Sequence, residues 1–158
     1  MLVRIMLAMA LSCGVAHAGE SIVSCDSSYH VDVVKPGMIL VSGAGGSTAR
    51  TKITHNVDGG SFSLDDKHVV LYGQPLKVHP KDAQATFLTL YNVGDGAKMA
   101  LTRTYGSDIY SADFSADGKY LVVSSAYSID VLDIANKKFE SHDPAYTPPF
   151  SMGECNKK

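Results

Sequence analysis

The chain has no tryptophan and only three cysteines among its 158 residues. It contains no Cys-x-x-Cys, no His-x-His and no histidine pair at i, i+4, so no spacing asks for zinc. Past the N-terminal leader the histidines, His30, His55, His68, His79 and His142, are scattered and read as structural or solvated. A basic excess is missing too. Loss of Arg4 with the leader leaves 13 Lys+Arg against 16 Asp+Glu, with no basic stripe, which argues against nucleic acid as a partner. The hydrolase elbow Gly-x-Ser-x-Gly does not occur. Gly43-Ala44-Gly45-Gly46 is followed by neither Lys-Ser/Thr nor a helical pattern, so it is no phosphate loop. Asp58, Asp65, Asp66, Asp113 and Asp117 lack the alternate-residue ligand pattern of a calcium loop and suit turns instead. No catalytic residue, cofactor or metal is expected, and the chain is read as a non-enzyme.

Long apolar runs are absent except at the start. Met1-Leu2-Val3-Arg4 is a short positive segment, Ile5 to Val15 is apolar, and Ala16-His17-Ala18 ends in small-x-small. This is the pattern of a signal peptide over 1–18, cleaved after Ala18, and it places the mature chain in the periplasm. A rival lipoprotein site, Ala10-Leu11-Ser12-Cys13, has a poor residue three before the cysteine. No later run is long enough for a membrane-spanning helix, and 19–158 is expected to form one domain. Cys13 leaves with the leader. Cys25 and Cys155 remain, near opposite ends of the chain, in an oxidising compartment that favours a structural disulfide. Closing so long a loop is worth about 4–5 kcal/mol in the chain-entropy model.

What the chain does have is a repeat with a period of 52 residues. Ser61-Phe62-Ser63-Leu64-Asp65-Asp66-Lys67-His68-Val69-Val70-Leu71 aligns with Asp113-Phe114-Ser115-Ala116-Asp117-Gly118-Lys119-Tyr120-Leu121-Val122-Val123. Each copy is a strand, an Asp/Gly/Lys turn and an apolar strand, and such repetition marks a propeller blade. Apolar residues recur every second position, with Val, Ile, Thr, Tyr and Ser dominant, so no helix is expected. The predicted strands of the first unit, 58–105, are 60–64, 68–72, 86–93 and 98–105. Those of the second, 106–141, are 109–115, 119–125, 128–134 and 137–141. Strands are also predicted at 28–34, 38–42 and 48–57, which either build a partial blade or cover the first unit. A tail with Pro144, Pro148 and Pro149 runs over 142–158. The fold class is therefore all-β, an open and incomplete propeller-like arrangement of about two four-stranded antiparallel blades plus an N-terminal β segment. Two blades cannot close a ring that takes about four to eight.

In antiparallel blades the second-to-third loops and the fourth-to-first connections share one end. That end collects the insertion 74–85, with Pro75, His79 and Pro80, together with Tyr105-Gly106-Ser107-Asp108 and Ser124-Ser125-Ala126-Tyr127-Ser128. The other end holds only tight turns. Elaborated loops on a rigid scaffold are where recognition sits, and Tyr with Ser and Gly suits contact surfaces. The candidate partner-binding residues are Ser124, Ser125, Tyr127, Ser128, Tyr105, Ser107, Asp108 and His79.

Phe114 to Val123, followed by Ser128-Ile129-Asp130-Val131-Leu132-Asp133-Ile134, resembles blades of WD40 and YVTN-type propeller repeats over roughly 58–140. That resemblance implies local structure and no particular task. Size, export, blade count and two terminal cysteines are also similar to those of periplasmic immunity proteins that neutralise peptidoglycan amidase effectors of bacterial type VI secretion. This narrower resemblance implies a protein partner with a Cys–His active site, blocked by an inserted loop whose serines meet the catalytic histidine. The alternative is a cell-envelope assembly or protein-binding module, in which open blade edges pair into a homo-oligomer.

Overall fold

The computed structural model describes residues 21–81 and 83–155; the expected leader lies outside the described residues. Three four-stranded antiparallel sheets follow one another along the chain. Blade 1 contains β1 (Ile22–Val23), β2 (Tyr29–Lys35), β3 (Met38–Gly43) and β4 (Thr48–Lys52). Blade 2 contains β5 (Gly59–Phe62), β6 (His68–Gly73), β7 (Thr86–Asn92) and β8 (Lys98–Tyr105). Blade 3 contains β9 (Ile109–Phe114), β10 (Tyr120–Ser125), β11 (Ile129–Asp133) and β12 (Lys138–His142). The first strands, β1, β5 and β9, lie side by side, so the blades fan out from an open axis. The all-β, incomplete propeller-like architecture read from the sequence is what the chain adopts. Its N-terminal β segment is itself a complete four-stranded blade.

The three blades share one turn, atom for atom. In blade 3 the Ser115 hydroxyl donates to Asp117 Oδ1 (2.7 Å) and accepts the Tyr120 N–H (3.0 Å), while the Lys119 N–H donates to Asp117 Oδ1 (3.1 Å). Blade 2 repeats this with Ser63 on Asp65 (2.7 Å), His68 N–H on Ser63 (3.0 Å) and Lys67 N–H on Asp65 (3.2 Å). Blade 1 uses Ser24 on Asp26 (2.9 Å), Tyr29 N–H on Ser24 (3.0 Å) and Ser28 N–H on Asp26 (2.8 Å). The residue after each Asp must take positive φ: 61° at Ser27, 56° at Asp66 and 70° at Gly118. Only glycine adopts that conformation without steric cost.

Period-2 alternation splits β6 and β7 of blade 2 between two cores. Val69, Leu71 and Tyr91 face blade 1, where Val31, Ile39 and Val41 meet them. Val70, Leu88 and Leu90 face blade 3 and pack on Phe114, Leu121, Val123 and Leu132. Burial on both faces is why β6 reads as an unbroken apolar run. The Ser61 hydroxyl fastens blade 2 to blade 3 near the axis through the Ala112 carbonyl (2.6 Å).

An open propeller has two terminal faces to satisfy, and the chain treats them differently. Blade 1 presents exposed Asp32, Thr48 and Arg50 outward with half-buried His30, Leu40 and Ser42, a polar terminal face of the kind repeat arrays use as caps. On blade 3 the register puts Tyr120, Val122, Ile129, Val131 and His142 on the outward side. Val122 and Val131 are only 8 % exposed, although neither belongs to an inter-blade core. The C-terminal tail covers them: Tyr146 stacks on His142 (ring centroids 3.8 Å) and Phe150 on Tyr120 (4.7 Å). The tail then bridges Ser115 through Met152, donates the Gly153 N–H to the Phe114 carbonyl (2.8 Å) and ends in the Cys25–Cys155 disulfide (Cα–Cα 5.1 Å). The bond ties blade 1 to the tail that caps blade 3, as the cysteine arithmetic anticipates.

Candidate protein-binding surface

The insertion between β6 and β7 rises from a pinned root. His55 bridges to Pro75, the Asn56 N–H donates to the Gln74 carbonyl (2.8 Å), and the Gln74 N–H donates to Asp58 Oδ2 (2.9 Å). His55 is fully buried. Its Nδ1 lies 2.6 Å from the Asn56 carbonyl and its Nε2 2.9 Å from Thr89 Oγ1. A carbonyl only accepts, so Nδ1 carries the proton and Nε2 accepts from the Thr89 hydroxyl. Burial lowers the His55 pKa, which keeps this neutral tautomer in place.

At the far side of the insertion, Gln84 Nε2 donates to Asp108 Oδ1 (2.8 Å). That bond joins the insertion to the β8–β9 connection, so two of the three expected loops meet. Within the connection Asp108 is exposed, whereas Tyr105 and Ser107 are buried and support the loop from beneath. Burial, and then the Asp130 carboxylate, push the Tyr105 phenol pKa up. Asp130 itself is 1 % exposed and pairs with Arg103 (2.8 Å), whose guanidinium lies 4.1 Å from the centre of the Phe139 ring and 5.3 Å from that of Tyr105. This pair, with its carboxylate buried and its guanidinium partly exposed, stitches β8 to β11 under the loops. It joins residues 27 apart in sequence and carries no local signature.

The third loop is the β10–β11 hairpin. Neither Ala126 nor Tyr127 has positive φ, so the turn is not one of the primed types that two-residue hairpins favour. Ser125 closes it instead. Its backbone N–H donates to the Ser128 carbonyl (3.0 Å), and its hydroxyl donates to the same carbonyl (3.1 Å) and accepts the Ser128 N–H (3.2 Å). Ser125 is therefore buried in the closure, Ser124 and Ser128 are half-exposed, and Tyr127 stands at the tip, 78 % exposed. The register shifts at Ser124/Ser125, which pair with Ser111 and Ile109, so Tyr110 is the extra residue of a bulge in β9. Strict alternation would turn Tyr110 inward with Ala112 and Phe114, but the bulge leaves Ile109 buried and Tyr110 66 % exposed. Sequence reasoning misses Tyr110 because nothing in the residue string marks the bulge.

Exposed apolar side chains follow this division of ends. Val33 and Val34, at the end of β2, lie toward the elaborated end with Val78, Tyr110 and Tyr127; Val23, Leu64 and Met99 lie toward the other. His79 and Val78 line a cup of about 270 Å³ within the insertion, with Pro75, Pro80 and Gln84. Larger grooves, about 630 and 540 Å³, lie at the tight-turn end. Much of the charge there is matched locally, Lys67 with Asp65 (2.9 Å) and Lys119 with Asp117 (3.2 Å), and the turns themselves use both carboxylates. Among the described residues no group of three or more His, Cys, Asp or Glu is placed to hold a metal ion.

No protein-family model and no curated protein matches the chain. Solved structures do. A crystal structure of a eukaryotic initiation factor is similar over 81 % of this chain, at 14 % identity and a TM-score of 0.56. The uncharacterized protein lmo1340 from Listeria monocytogenes EGD-e is similar over 78 %, at 9 % identity and 0.57. HIRA(644-1017) is similar over 78 %, at 8 % identity and 0.53. The chain spans 33 %, 39 % and 39 % of those chains respectively. WD40-type propellers are among them, and identities this low speak to the fold alone: the blades are propeller-like.

Proposed function

We propose that this is an exported protein-binding inhibitor that docks through its elaborated end. More narrowly, we read it as a periplasmic immunity protein that blocks a peptidoglycan amidase effector of type VI secretion. The observation that carries the docking reading is the gathering of Val78, Tyr110 and Tyr127 with Asp108 and the half-exposed serines on one end of a rigid scaffold. Aromatic side chains of this kind dominate binding energy where they become buried. The narrower reading rests on the family resemblance. The disulfide suits the oxidising compartment it requires.

In this mechanism the β10–β11 hairpin is the inserted element. Its closure by Ser125 and Ser128 costs the loop its freedom before binding, so little further ordering is lost on contact. Tyr127 enters the cleft, and the hydroxyls of Ser124 and Ser128 meet polar catalytic groups that would be costly to leave unpaired once desolvated. Ser125 is unsuitable for a contact mutation, because a larger side chain there would break the closure. The test therefore uses Tyr127→Ala and Tyr110→Ala. Each should weaken the complex by about 30-fold, near the 2 kcal/mol of an interface hot spot, with unchanged thermal stability. Unchanged affinity in both variants would remove this end from the interface.

A further inference from the structure

We propose that residues 143–155 form a redox-latched strap that stands where the blade after blade 3 would pack. The strap runs down the outward face of blade 3, with Tyr146 on His142 near one end of the sheet and Phe150 on Tyr120 near the other. Between those two stacks the register places Val122 and Val131, the apolar centre of a face that a further blade would otherwise bury. Past Phe150 the strap is held by the Ala116 N–H on the Ser151 carbonyl (2.8 Å), the Gly153 N–H on the Phe114 carbonyl (2.8 Å) and the Ser115–Met152 bridge. These few bonds and two ring stacks must offset the ordering of an extended, proline-containing segment with no sheet of its own. The covalent latch supplies the rest.

The latch is placed where it can be opened. Cys25 and Cys155 are both exposed, and exposed disulfides are the ones open to thiolate attack and exchange. A dithiol reductant attacks one sulfur, releases the other as a thiolate and then resolves the mixed disulfide. The dithiol becomes a disulfide, and the protein gains two electrons and two protons as Cys25 and Cys155 thiols. Neither cysteine lies in an inter-blade core. Opening the bond leaves the blade packing intact and removes only the strap's distal anchor, which bares Tyr120, Val122 and Val131.

The test compares mature full-length protein, oxidised and after treatment with dithiothreitol, by limited chymotrypsin digestion and circular dichroism. The expected result is cleavage after Tyr146 or Phe150 at least tenfold faster in the reduced protein, with the β-sheet spectrum retained. The Cys25→Ser, Cys155→Ser double variant should match the reduced protein without any reductant. Equal protection of the strap in both states would overturn the proposal. Loss of the sheet spectrum on reduction would overturn it as well, since the bond would then be a staple of the whole fold.

Discussion

Replacing the turn serines one at a time, Ser24→Ala, Ser63→Ala and Ser115→Ala, asks whether the three blades are equivalent units. Each hydroxyl is buried, accepts one backbone N–H at 3.0 Å and donates to an Asp carboxylate at 2.7–2.9 Å. Alanine removes both bonds. The freed carboxylates are within reach of water and recover much of their loss, whereas the N–H of Tyr29, His68 or Tyr120 is left without its acceptor. A lost bond and an orphaned donor together cost about 2 kcal/mol. For a domain of this size that corresponds to about 6–10 °C in Tm. Urea unfolding of the oxidised protein should return the same cost at all three sites, within about 1 kcal/mol. A neutral Ser24→Ala beside two costly replacements would refute the equivalence and reduce blade 1 to a covering segment.

The shared turn also predicts a gain. Asp66 holds φ 56° where blade 3 has Gly118, and burial together with the Asp26 carboxylate raises its pKa. Asp66→Gly should stabilise by about 1 kcal/mol through relief of the left-handed conformation. Gly118→Asp should destabilise, because φ 70° is strained for any residue with a Cβ and the new carboxylate would stand beside that of Asp65; urea midpoints of both variants check the pair. Burial lowers the pKa of His55 and His68 below 6.5. The unfolded chain therefore takes up protons first, and the stability present above pH 6.5 falls as the pH drops toward the folded values. A Tm profile from pH 8 to 5 should show that decline, and His55→Gln, which can still meet Thr89 but does not titrate, should flatten it; an unchanged slope would clear His55 of the effect. Arg103→Met strands a carboxylate that is 1 % exposed and should cost about 3–5 kcal/mol. Asp130→Ala should cost less, because the Arg103 side chain is 33 % exposed and can turn to water; the reverse order in urea unfolding would contradict this account of the pair.

The sequence displays much of this fold because Phe-Ser-x-Asp at Phe62–Asp65 and Phe114–Asp117 spells out the same hydrogen bonds twice. The third copy is harder to read. Ser24-Cys25-Asp26 keeps only the Ser-x-Asp, with Val23 in place of Phe and Ser28 in place of Lys, and β1 is two residues long. The positions of the loops follow from strand order, which is why the insertion and the β8–β9 connection share an end, where Gln84 bonds Asp108. Which loop residues face outward does not follow from it. A serine that closes a hairpin, like Ser125, and one that lies half-open beside it, like Ser124, are the same letter. Tyr105 and Tyr110 are likewise indistinguishable until the bulge and the Arg103–Asp130 pair assign one to each side.

The most direct measurement uses oxidised mature protein, wild type and Tyr127→Ala, as bait in periplasmic and secreted extracts, with every captured peptidoglycan hydrolase then assayed for turnover with and without the bait protein. The inhibitor account predicts an amidase held by the wild type alone, with its activity lost when the wild-type protein is added and retained with the variant. Capture of only the protein itself or of envelope assembly components, or a captured amidase that keeps its full activity, would contradict it.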